Sequence, residues 1–359
     1  MNLRIPGPTP LPPEVTRALG TEMIDHRGGQ FEEMLQEVTS QLRDFYQTSG
    51  DVLLLTTSGT GGLEAALVNV LSPGDHVLAV STGVFGQRWA DIARAFGARV
   101  TQLDVPWGQG LRPAEVERTL HDHPDIRLLL TTHNETSTGV LNHLAPVADL
   151  LCGLGDQRPL WLVDAVSSLG AVDLPMDTWG CDLVISASQK AWMAPPGLAF
   201  VGVSPRAWEW MEGARCPRFY WDLRTMRTFA IRGQTPYTPA VSTFFALRAA
   251  LRRMADEGLP AIVRRHQQLA ARTRDGLRAL GLPLLAADDC ASPTMTAACV
   301  PEGVSAVTIK GRLLNEHGVA ISAGMGALKD TILRIAHMGY CTPADTDAVL
   351  LALARVLNR

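Results

Sequence analysis

Six short, unbroken apolar runs, separated by longer stretches of helical spacing, predict an α/β protein: a mainly parallel sheet between layers of helices, followed by a smaller α+β domain. The runs are Val52–Leu55, Val77–Val80, Leu128–Leu130, Leu160–Val163, Leu183–Ile185 and Leu198–Val201. Their polarity does not alternate, which is the pattern of strands buried on both faces. Length points the same way. A single core stops growing near ~250–300 residues, so a chain of 359 residues divides into a large domain and a smaller one.

In chain order, residues 1–15 come first as an extended arm, because five prolines there fix φ and remove backbone donors. The stretches Gly61–Leu71 and Gly86–Phe96 carry Leu, Ala, Ile and Phe at helical spacing and are the crossover helices of a large domain spanning 16–255. Two long helical patterns, about 242–257 and 260–280, follow, and Gly281-Leu282-Pro283 ends the second. The small domain, 256–359, reads as strand Thr294–Val300, helix Val304–Glu316, strand Val319–Ser322, strand Ile332–Ala336 and helix Ala344–Leu357.

Composition removes several function classes. A net charge of −4 offers no basic field for nucleic acid. No window approaches the ~20 unbroken apolar residues of a membrane span. Prolines interrupt the first residues where a secretory signal would need an apolar core, so a cytoplasmic protein is expected. Six cysteines are scattered without metal-ligand spacing, and free buried thiols and no metal site are expected.

In an open sheet ligands bind beyond the carboxyl ends of the strands, so the residues there carry the chemistry. After Val52–Leu55 comes Thr56-Thr57-Ser58-Gly59-Thr60-Gly61-Gly62, small and hydroxylic residues before a helix. They read either as a phosphate cradle or as a plain turn with an N-cap. Leu160–Val163 delivers Asp164, a turn aspartate or a buried carboxylate awaiting a cation such as a protonated pyridine nitrogen. Twenty-six residues on, Ser188-Gln189-Lys190 follows Leu183–Ile185. A lysine in a partly buried site loses proton affinity and becomes an amine nucleophile fit for a Schiff base; a lysine in a loop can equally be surface charge. Arg334 lies in an apolar strand, read as an edge strand of the small domain, and needs an anion: a structural carboxylate or a substrate's.

Taken together and in order, these segments resemble the pyridoxal-phosphate enzymes of fold type I, the class V aminotransferases, and within them the alanine/serine–glyoxylate (serine–pyruvate) branch. The marks are Pro6-Gly7-Pro8-Thr9, Ser58-Gly59-Thr60-Gly61, Gly83-Val84-Phe85-Gly86-Gln87-Arg88, His133-Asn134-Glu135-Thr136-Ser137-Thr138-Gly139, Asp164-Ala165-Val166, Ser188-Gln189-Lys190, Tyr237-Thr238-Pro239 and Leu333-Arg334-Ile335. The resemblance implies pyridoxal 5′-phosphate as cofactor, Lys190 as its aldimine lysine and Asp164 as the partner of its ring nitrogen. It implies Ser58, Gly59 and Thr60 around the phosphate, Phe85 stacked on the ring, Thr136 and Val166 lining the cofactor, and Ser188 and Gln189 in contact with it. Thr238 would reach the phosphate of the neighbouring subunit in a homodimer with shared active sites. Where some relatives have a phosphate-binding tyrosine stands Thr235, so either Thr235 or Tyr237 could substitute. Arg334 would hold the substrate carboxylate.

The activity so implied is ping-pong transfer of an amino group from alanine or serine to glyoxylate or pyruvate. The alternative is a cysteine desulfurase or lyase of the same fold, for which Cys290 is the only loop candidate. Its neighbours Asp288 and Asp289 would raise a thiol's pKa rather than activate it.

Overall fold

The computed structural model describes residues 1–358. A seven-stranded sheet runs in the order Asp51–Thr57, Gly197–Val203, Leu183–Ala187, Leu160–Asp164, Ile126–Thr132, His76–Ser81 and Arg99–Asp104. Only Gly197–Val203 is antiparallel to its neighbours. The six expected strands all form. Their alternate residues enter opposite cores: Leu128, Leu130, Leu160 and Leu162 pack on one face, Leu129, Trp161 and Val163 on the other. That two-sided burial is why the runs read as continuous apolar sequence.

One face is covered by helices Gly59–Val68 and Val84–Ala95, the other by Gly29–Tyr46 and Val241–Glu257. Helix Gly59–Val68 lies very close to the sheet, since a Cβ on Gly62 would sit 2.9 Å from Ala199 Cβ and 3.1 Å from Ile185 Cγ2. Its glycines therefore serve packing as well as any ligand.

A third core gathers Leu277, Leu313, Ile321, Leu333, Val349 and Leu353 around the C-terminal three-stranded antiparallel sheet. Ile332–Ala336 is the central strand of that sheet, between Met295–Cys299 and Ser322–Ala323, not the edge strand the sequence suggested. The helix Leu259–Ala279 begins after Gly258 and serves both bodies, with Ile262 in the large core and Leu277 in the small one. The arm runs extended to Pro12, where helix Pro13–Ala18 starts. Asn2–Leu3 pairs in parallel with Val319–Ala320, so the start of the chain is stitched to the small sheet's side.

Two histidines are buried in and beside the small domain: His266, on helix Leu259–Ala279, and His337, whose Nε2 lies 3.0 Å from Thr296 Oγ1. His266 Nδ1 meets Ile262 O at 2.7 Å, and its Nε2 meets the Gly339 N–H at 3.1 Å. A carbonyl can only accept and an N–H only donate, which fixes this ring as the neutral Nδ1–H tautomer. Burial lowers the pKa of His266 to about 4 and that of His337 to about 3. The unfolded chain binds these protons below about 6.5 while the native state refuses them, so stability falls as pH drops through that window. Each histidine contributes a slope of up to about 1.4 kcal/mol per pH unit. Denaturant midpoints between pH 7 and pH 5 measure the loss. His266→Gln, whose amide can make both bonds without titrating, flattens the dependence.

Candidate active site

Two aspartates stand near opposite ends of the sheet and are treated in opposite ways. Asp182, just before strand Leu183–Ala187, meets Arg158 in two bonds of 2.6 and 3.0 Å, Arg206 at 3.0 Å and the Trp161 N–H at 2.8 Å. It is fully compensated and structural. Asp164, at the carboxyl end of its strand, is equally buried yet accepts one hydrogen bond, from the Val166 N–H at 2.9 Å. Burial above all, with Glu135's charge adding to it, raises its pKa to about 7. The local bond is that of a turn aspartate, and it leaves the carboxylate short of a cation.

Lys190 faces the same cavity. Burial lowers its pKa to about 8, with Asp164 opposing the shift and Arg334 and Arg88 adding to it. Its Nζ donates to the Pro6 carbonyl, and the Thr9 hydroxyl caps the Lys190 carbonyl at 2.9 Å. The arm thus holds both ends of this lysine.

The cavity, about 190 Å³, is lined by Ser58, Gly59, Thr60, Phe85, Thr136, Asp164, Val166, Gln189 and Lys190, all expected from the sequence. Leu63, Arg88, Asn134 and Ser167 complete it, though the sequence reading assigned them no role. Arg88 donates to Thr60 Oγ1 at 3.2 Å and lies 4.7 Å over the Phe85 ring. Its signal was present, since it stands three residues from Phe85, one helical turn on the same face. Ser58 is the N-cap of helix Gly59–Val68, accepting from the Gly61 N–H at 3.4 Å, while Ser58 and Thr60 remain exposed. The turn-and-cap reading and the anion-cradle reading are therefore compatible.

Arg334 approaches from the small domain. Its Nε donates to Ala323 O at 2.8 Å and its Nη1 to Thr136 O at 3.1 Å. No carboxylate pairs with it among the described residues, so the structural ion pair left open by the sequence does not form.

Ser188, expected to contact the cofactor, does not line the cavity, and Thr238, expected to serve the neighbouring subunit, does not line it either. Ser188 Oγ is committed to the Pro195 carbonyl at 2.5 Å. Thr238 is exposed and lies apart from the lining residues. Thr235 is tied to the Tyr237 carbonyl at 2.7 Å, while Tyr237 stacks on Tyr220 with ring centroids 4.8 Å apart.

All six cysteines are free. Cys290 is buried in a short 3₁₀ turn, where burial first and Asp289 second push its thiol pKa up. Asp288, its other acidic neighbour, is paired with Arg278. A thiol in that setting is a poor nucleophile.

Comparison with known proteins follows this geometry. The family described as Aminotransferase class-V matches residues 3–348. A Synechococcus protein named soluble hydrogenase, small subunit, is 44% identical over 357 residues, covering 99% of this chain and 92% of that one. An L-aspartate–glyoxylate aminotransferase of Paracoccus denitrificans is 40% identical over 344 residues, 95% of this chain and 87% of its own. Among solved structures, an alanine–glyoxylate aminotransferase from Nostoc superposes with a TM-score of 0.95 at 33% identity, covering 99% of this chain and 94% of that one.

The arm's fit is tight enough to test directly. Gly7 has φ +130°, and a Cβ there would stand 2.8 Å from Lys190 Nζ. Gly7→Ala is expected to lose roughly 1–3 kcal/mol of stability to strain and to displace the lysine. Thermal melting reads the first effect. The pH dependence of Lys190 acylation reads the second.

Proposed function

The chain belongs to the class V aminotransferases, which work with pyridoxal phosphate, and we propose that it moves an amino group from a small amino acid to a small 2-oxo acid. The observation that carries this reading is the pair Asp164 and Lys190 facing one cavity, an under-compensated carboxylate opposite an amine of lowered pKa.

The residues present fit the cofactor. Asp164, with a single N–H donor, has room for a cationic ring nitrogen. The exposed helix start at Ser58–Thr60 offers N–H and hydroxyl donors to a phosphate. Gln189 Oε1 is buried without a partner and can accept from a bound group. When bound, pyridoxal phosphate supplies an aldehyde for the amino group to join and a ring that takes up the electrons released as the α-proton leaves.

The chain's own part then follows. Lys190 would be the residue that holds the cofactor, and its free amine is placed to carry a proton at the substrate's Cα. A pKa near 8 keeps part of that amine neutral at physiological pH. Asp164 would hold the ring nitrogen of the cofactor, and its carboxyl would return to the charged form beside such a cation. Phe85 presents a stacking face beside Arg88. Arg334 fixes the substrate carboxylate with the donors its two carbonyl bonds leave free, which sets the Cα–H bond relative to the ring. Donor and oxo acid use the same site in turn, a ping-pong cycle.

Glyoxylate or pyruvate is the proposed acceptor and alanine or serine the donor; the Paracoccus relative's name adds aspartate to the panel. The functional unit is a homodimer, with Thr238 of each chain serving the other's phosphate. Supporting this, Phe219 and Tyr220 stand exposed against the half-buried ring of Tyr237, next to Thr238.

Borohydride reduction of the cofactor-loaded protein and peptide mapping is expected to find the adduct on Lys190; a different lysine would overturn the assignment. Arg334→Ala should lose roughly 2–4 kcal/mol of transition-state binding, read as kcat/KM for donor and acceptor alike. A donor and acceptor panel on the wild type ranks the substrates. Viologen-linked hydrogen uptake, measured on the same preparation, tests the activity in the Synechococcus relative's name, and none is expected.

A further inference from the structure

The catalytic proposal gives no task to Glu135, which is fully buried in the two-residue strand Asn134–Glu135 that opens the loop behind the cavity. Its Oε2 accepts the N–H groups of Phe85 at 2.9 Å and Gly86 at 3.1 Å, in the first turn of helix Val84–Ala95. Its Oε1 accepts the Ser137 N–H at 2.9 Å and hydroxyl at 2.6 Å. Ser137 Oγ in turn accepts the Val84 N–H at 2.9 Å.

That helix begins at Gly83 and has no side-chain cap of its own, so residues 135–137 satisfy its free donors from outside. Gly83 makes the close docking possible: a Cβ there would lie 2.4 Å from Ser137 Oγ and 2.7 Å from Glu135. The next carbonyl, of Thr136, is the one that accepts from Arg334.

We propose that Glu135 is a positioning residue whose single buried carboxylate sets two parts of the active site together, the aromatic wall at Phe85 and the guanidinium of Arg334. Burial pushes its carboxyl pKa upward. The donor pattern wins over burial: three backbone N–H groups, which can only donate, converge on its two oxygens together with the Ser137 hydroxyl, and a helix N-terminus favours an anion. Glu135 is thus charged, and it is the anion that supports the charge on Arg334. The same loop reaches across the domain boundary, since Asn134 Nδ2 donates to Thr294 Oγ1 at 3.0 Å and Ser292 Oγ donates to Asn134 Oδ1 at 2.5 Å.

This inference rests on the roles proposed for Phe85 and Arg334, so the experiment carries both as controls. Glu135→Gln keeps the shape but turns one acceptor into a donor that faces donors. Loss of these charge-assisted bonds is expected to raise KM for donor and acceptor about tenfold and to weaken pyridoxal phosphate binding to the cofactor-free protein about tenfold, with kcat changed less. Equilibrium dialysis reads the binding without turnover. Ser137→Ala, a milder break in the same contact, moves both quantities in the same direction and decides the matter if Glu135→Gln does not fold. If Phe85→Ala and Arg334→Ala leave cofactor affinity and KM unchanged, the underlying functional reading fails. If those two change them while Glu135→Gln, or Ser137→Ala in its place, matches wild type in both, the positioning role is overturned.

Discussion

A charge taken out of water must be met by an opposite charge or by a full set of hydrogen bonds, and the architecture of this protein around its cavity is a set of answers to that demand. Asp182 is answered by two arginines, Glu135 by four donors, Arg334 by two carbonyls. Asp164 and Lys190 are the pair answered least, and their pKa values are drawn towards each other, to about 7 and about 8. Incomplete compensation inside an otherwise well-compensated interior marks a candidate working group, and here it falls at the strand ends where open sheets bind ligands.

The large sheet was legible because strands buried on both faces leave no polar positions. The strand that escaped notice, Arg99–Asp104, is the sheet's outer edge, and its Arg, Thr, Gln and Asp face partly to solvent. Edge strands are written in polar residues to discourage further pairing, which erases the very signal used to find them. The run Val319–Ser322 was seen as one strand, whereas Val319–Ala320 pairs with the arm and Ser322–Ala323 with Ile332–Ala336. A split between two partners leaves no trace in hydrophobicity.

Site residues followed a similar rule. Groups presented by a strand end or a helix start, such as Asp164, Lys190 and Ser58, could be found from position along the chain. Asn134, Ser167 and Arg88 could be placed only with distant partners known, Asn134 through Ser292 and Thr294 more than 150 residues away. Ser188 shows the converse. It sits in the right motif but spends its hydroxyl on the Pro195 carbonyl, a local bond that no spacing argument reveals.

The arm has a consequence for the order in which the molecule is made. Its backbone bonds join Asn2 to Gly318, Arg4 to Ala320 and Ala336, and Thr9 to Gln189. The arm is therefore made more than 300 residues before Gly318, Ala320 and Ala336, and during synthesis it waits without these partners while the large domain assembles. Contacts of such long sequence separation close late, because loop entropy must be overcome before they repay it. Lys190 receives its carbonyl partner from Pro6 in that same late step. A chain lacking residues 318–336 would hold a formed sheet but an arm without these anchors, so the clasp on Lys190 depends on delivery of the small-domain strands.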